Sequence, residues 1–115
     1  MFMSNIFFKN WTNQVRKGIL ELTILNDIRN RRMYGYEIER KFRKSKGLNI
    51  SDGTIYSILR RFKKQGLVSV TQTKSHDGPN RKYYRLTESG RQTLAQMNTY
   101  WRAIRRQAES VKRGK

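Results

Sequence analysis

The side chains best equipped for chemistry in this sequence are hydroxyls and cations set close together. Ser51-Asp-Gly-Thr54 is followed by Tyr56, Ser57, Arg60, Arg61 and Lys64. A helix opening at Ser51 turns Thr54, Ser57, Arg60, Arg61 and Lys64 away from an inward stripe of Ile55, Ile58, Leu59 and Phe62. Such a face suits anion recognition. Hydroxyls near a helix start reach base edges or phosphates, and arginine forks fit guanine O6 and N7 or clamp a phosphate. The backbone amides at Gly53 and Thr54 add the anion site that any helix N-terminus offers. Taken alone, the same cations also read as a solvated helix face, and Tyr56 suits packing as well as contact. Further along, Lys74, His76, Asn80 and Arg81 surround the polar stretch 75–80, a turn by composition and a second place for phosphate contact.

Other chemistries are poorly served. Cysteine is absent, so there is no disulfide framework, thiolate metal site or thiol nucleophile. The single histidine, His76, falls in the turn without a Ser-His-Asp setting, and no phosphate-binding glycine loop or metal-ligand spacing occurs. Neither an enzyme nor a cofactor is expected. The charge points the same way: 26 Lys plus Arg against 8 Asp plus Glu give a net +18, and the isoelectric point near 11.0 calls for a polyanionic partner. At 115 residues the chain holds one domain, or a domain with a helical appendage. Its 11% aromatic content is too rich for a disordered basic tail. Nothing approaches the ~20 apolar residues of a membrane span, and the N-terminus lacks the basic start of a signal peptide. We expect a cytoplasmic, nucleoid-associated protein with no membrane partner.

The elements that must position these residues follow from periodicity. Val15, Ile19, Leu22, Ile24, Leu25 and Ile28 give a helix over 12–31 with Thr12 as its cap. The stretch 33–36 reads as a turn into a second helix, about 36–46, ended by Gly47. The third helix begins at Ser51 and stops at Gly66. Residues 67–73 alternate and are β-branched, 81–86 return, and together they predict a hairpin over 67–86 with a basic tip. Tyr84 and Leu86 belong on its core face with Val68 and Val70. Thr87 caps a final helix of 88–112, about 38 Å long. Its apolar residues Leu94, Met97, Trp101, Ile104, Ala108 and Val111 form a narrow seam, which argues for pairing with a second copy. Three helices, a basic hairpin and a long helix make a mainly α fold, a winged helix-turn-helix with a C-terminal dimerisation helix. Its segments are 1–11, an aromatic arm or short helix; 12–87, the DNA-binding domain; and 88–115, the dimerisation helix with a basic tail. Double-stranded DNA and a second copy of the chain are the expected partners.

The sequence resembles the PadR-type transcriptional regulators. The matching stretches are Gly18-Ile-Leu-Glu-Leu-Thr-Ile-Leu25, Tyr34-Gly-Tyr-Glu-Ile38, Ser51-Asp-Gly-Thr-Ile-Tyr56, Gly66-Leu67, Gly78-Pro-Asn-Arg-Lys-Tyr-Tyr-Arg-Leu-Thr87 and Gly90, spanning about 15–105. The resemblance implies a homodimeric repressor of the short subgroup, with one C-terminal dimerisation helix. It also implies an effector, phenolic or flat and aromatic, held between subunits near Trp101; packing of the seam is the competing role for that tryptophan. Two departures stand out. Ser57 replaces a proline common in the family, and Arg102, Arg105, Arg106, Lys112 and Arg113 crowd the last helix. That crowding favours an antiparallel crossing, or packing of each rod on the first helix of the other subunit. The charge excess keeps a second function open, an architectural or partition-type protein that coats DNA with little sequence preference.

Overall fold

The computed structural model describes residues 2–45, 50–75 and 78–110. Its elements in chain order are α1 (Phe2–Arg29), β1 (Met33–Tyr34), α2 (Gly35–Lys44), α3 (Asp52–Lys64), β2 (Val68–Ser75), β3 (Gly78–Leu86) and α4 (Glu88–Glu109). The C-terminal half of α1 buries Leu20, Ile24, Leu25 and Ile28, and Ile38 and Phe42 of α2 meet them. From α3 come Ile55, Ile58, Leu59 and Phe62, from the hairpin Val68, Tyr84 and Leu86, so the predicted inward stripes close one core. Burying such side chains is the main force that holds α3 at a fixed attitude.

Local signals set the ends of α3 and α4. The Ser51 hydroxyl accepts from the Thr54 amide at 3.3 Å, and the Thr87 hydroxyl accepts from Gly90 at 2.9 Å while donating to the Gly66 carbonyl at 2.6 Å. Gly66 ends the α3 turn at φ 78°, a conformation that penalises a side chain. The hairpin pairs Val68 with Leu86 through Thr73 with Arg81, and its register shifts between Thr73 and Ser75.

Four expectations are corrected. No boundary falls at residue 12: α1 is continuous from Phe2, and the Thr12 hydroxyl donates to the Lys9 carbonyl at 2.9 Å instead of capping. The N-terminal aromatics thus extend the first helix rather than forming a separate arm. The stretch 33–36 is not merely a turn. Met33 and Tyr34 pair with Tyr84 and Tyr83, making a three-stranded sheet in the order β1-β3-β2. The second helix starts at Gly35, where the Glu37 carboxylate accepts from the Tyr34 amide at 2.8 Å, and ends at Lys44; Gly47, its expected terminator, lies outside the described residues. Finally, α4 ends at Glu109, and its first half serves its own protomer. Leu94 is 1% exposed in the core, and Asn98 exchanges two amide hydrogen bonds with Asn26 of α1, at 3.1 and 3.0 Å. Leu94 therefore leaves the expected intersubunit seam, because it is already buried in the core of its own protomer. Val111 lies outside the described residues.

Arg91 donates to the Arg29 carbonyl at 3.4 Å and Asn98 pairs with Asn26, while Trp11 and Ala108 line one groove further along, so the two helices are antiparallel. No helix among the described residues is long and apolar enough to cross a membrane.

Candidate nucleic-acid interface

The exposed side of α3 resolves into a centre and two flanks. Gly53, Ser57, Arg60 and Lys64 recur at steps of four, three and four, which lines them on one face, and all four are exposed. On one flank Thr54 shares a hydrogen bond with Ser51, oxygen to oxygen 2.9 Å, and Arg61 is drawn sideways into an ion pair with Glu21 of α1. A cleft of about 530 Å³ lies here between α1 and α3, with Lys17, Ser51 and Thr54 on its walls. The two adjacent arginines, which the sequence presents as equivalent, thus have different surroundings.

On the other flank Tyr56 and Arg60 face the hairpin across a cleft of about 620 Å³, closed by Tyr34, Tyr36, Arg81 and Lys82. Gly35 is required at its floor. A β-carbon there would lie 2.8 Å from the Tyr56 ring, so the glycine lets the α2 start and the α3 tyrosine approach. Tyr56 is half-buried against the core, as the packing reading requires, and it also lines the cleft beside Arg60 and Arg81.

Arg81 lies on β3 near the closed end of the hairpin. It pairs with Thr73 in the ladder and leans back over Tyr34 and Tyr36, its guanidinium carbon 5.2 and 5.4 Å from their ring centroids. Lys82 shares that cleft with Arg60. Lys74 is exposed on β2; His76 and the Asn80 side chain lie outside the described residues.

Behind Arg81 stands a stack that sequence reasoning missed. The Tyr34 and Tyr83 rings are 3.9 Å apart, the Tyr83 hydroxyl donates to that of Tyr34, and Arg32 covers Tyr83 at 3.8 Å. The donated hydrogen bond lowers the Tyr34 hydroxyl pKa, helped by Arg81 and Arg32. The same bond raises that of Tyr83, which must keep its proton to donate. Burial raises that of Tyr84 on the core side. At the α2 start, burial pushes the Glu37 carboxyl up, but the Tyr34 amide and Arg31 together hold it below the ordinary value. The only sequence signal for this stack is the density of Tyr and Arg in 31–36 and 81–85, whose convergence depends on β1.

Away from this surface, α1 and α4 enclose a groove of about 550 Å³, lined by Trp11, Val15, Ile19, Met97, Trp101 and Ile104 among others. Met97 and Trp101 pack partly on the core. Ile104 is 40% exposed and Ala108 is exposed, so this outer part of the expected seam is open to a second chain. Among the described residues no three His, Asp or Glu side chains converge as metal ligands would.

A three-helix head, a two-stranded wing beside its third helix and a long following helix define a winged helix-turn-helix protein. Residues 24–96 match the Transcriptional regulator PadR-like family, and the chain belongs to that family. It is 34% identical to a PadR-like transcriptional regulator from Bacillus cereus, covering 89% of this chain and 99% of that one with a TM-score of 0.76. A PadR family transcriptional regulator from Eggerthella lenta, 23% identical, shares the fold over 100% of both chains with a TM-score of 0.84. An uncharacterized protein of Lysinibacillus sphaericus is 28% identical over 81% of this chain and 87% of its own. The protein is a DNA-binding transcriptional regulator of the PadR type, and the family relationship extends to dimerisation in general.

Proposed function

We propose that the protein is a repressor that binds a palindromic operator as a homodimer. The observation that carries this reading is the exposed centre line of α3, with Ser57, Arg60 and Lys64 free for a major groove and the Tyr56–Arg81 cleft beside it for the flanking backbone. The second subunit packs on the open part of the α1/α4 groove, against Met97, Trp101, Ile104 and Ala108. A planar phenolic or aromatic effector enters the same groove beside Trp101 and releases the operator. Footprinting on the gene's own upstream region, with and without such compounds, tests this. A protected palindrome with half-sites about one helical turn apart is expected. Equal protection of operator and random duplex at ~150 mM salt overturns it.

A second reading, a DNA-coating protein of architectural or partition type on the nucleoid, is favoured by one observation. Cations are exposed away from the α3 face as well, at Arg102 and Arg106 of α4. Equal affinity for all duplexes, falling steeply with salt, is its signature.

A further inference from the structure

Only 8 acidic residues accompany the 26 cations of this chain, and one of them, Glu21, stands beside the DNA-reading helix. It occupies the ridge of α1 that divides two cavities, walling the cleft under the start of α3 and the apolar groove toward α4. Its carboxylate is bonded to the Arg61 guanidinium. Lys17, one turn earlier on α1, also lines the α3 cleft.

We propose that Glu21 is a positioning residue for DNA binding. It holds Arg61 against α1, away from the exposed centre line on which α3 presents Arg60 and Lys64. A guanidinium has five N–H donors, so the carboxylate does not exclude phosphate; it fixes where the guanidinium lies and offsets part of its charge. With the two side chains 33% and 46% exposed, solvent screens the pair, so a phosphate contact by Arg61 is weakened and not abolished. An unrestrained arginine in this position would add a backbone contact without sequence information, raising affinity for every duplex. Glu21 therefore acts on specificity: it limits indiscriminate binding in a chain of charge +18.

This inference rests on the reading of α3 as the face that meets DNA. The test uses the full-length chain with a 30-base-pair random duplex and the footprinted operator, titrated across a salt series. The panel is wild type, Glu21→Gln, Arg61→Ala, the double variant and Arg60→Ala. For Glu21→Gln we expect about three- to tenfold tighter random-duplex binding and a plot of log K against log salt steeper by about one unit, the mark of one added phosphate contact. The ratio of operator to random affinity falls. Placed on Arg61→Ala, Glu21→Gln yields neither gain. If Glu21→Gln tightens binding as much in the Arg61→Ala background, the carboxylate acts by simple repulsion and the proposal fails. It fails equally if Glu21→Gln binds with wild-type affinity and slope. Arg60→Ala reports on the underlying reading: unchanged operator affinity there refutes the α3 assignment itself.

Discussion

A guanidinium does what its neighbours leave it free to do, and the surroundings of Arg60, Arg61 and Arg81 differ accordingly. Arg60 meets solvent and the cationic cleft, Arg61 meets a carboxylate, and Arg81 meets two tyrosine rings. A bidentate arginine–guanine contact is worth about 1–3 kcal/mol of discrimination, so Arg60→Ala should weaken operator binding roughly 5- to 150-fold in gel-shift titrations and narrow the gap to random duplex. Glu37 offers a test in pH. Its folded pKa is depressed, so its contribution is complete above the ordinary glutamate value of 4.5 and is lost as pH falls through the lower, folded value. Urea melts at pH 7 should show Glu37→Gln less stable than wild type by about 0.5 kcal/mol. The difference should shrink in the acid range below pH 4.5. A gap that widens in acid would contradict the assigned partners, the Tyr34 amide and Arg31.

Among the elements, Gly35 carries the sharpest expectation. The β-carbon of Gly35→Ala would press on the Tyr56 ring; overpacking of this kind costs about 1–3 kcal/mol. It should lower the melting temperature and reopen the Tyr56–Arg81 cleft, weakening DNA binding with it. Two residues of α4 separate core from interface. Leu94→Ala should destabilise the protomer by about 2–5 kcal/mol, whereas Ile104→Asp should shift sedimentation toward monomer with little loss of helical signal. Helix α3 and the hairpin were legible in the sequence because their signals are local: a serine cap, an i, i+3, i+4 stripe, a β-branched alternation. The two-residue β1 was not, since no period shows in so short a strand. The Arg61–Glu21 pair and the Arg81 stack escaped for a related reason. Each joins segments far apart in sequence, and only the closed core brings them within reach. The full run of α1 was obscured by Thr12, a good cap residue that here serves inside the helix.

At the scale of the whole molecule, the shape is elongated, 62 × 35 × 21 Å, and α1 and α4 lie side by side. No flexible linker separates the winged head from α4: Thr87 ties the end of β3, the Gly66–Leu67 turn and the first turn of α4 in one set of hydrogen bonds. In the homodimer proposed above, two heads joined through such rods would behave as a pair of fixed calipers. The jaws cannot adjust to the site, so the DNA must present its half-sites at the width and angle the protein sets. Each base pair added between half-sites turns one by about 35° and should cost most of the specific affinity, whereas adding a full turn changes the width but restores the angle. A jointed dimer would tolerate the single insertions. For the proposed dimer, operator spacing would then be set by the Thr87 joint as much as by the α3 surface, and lengthening a helix would retune such a regulator without touching any residue that meets a base.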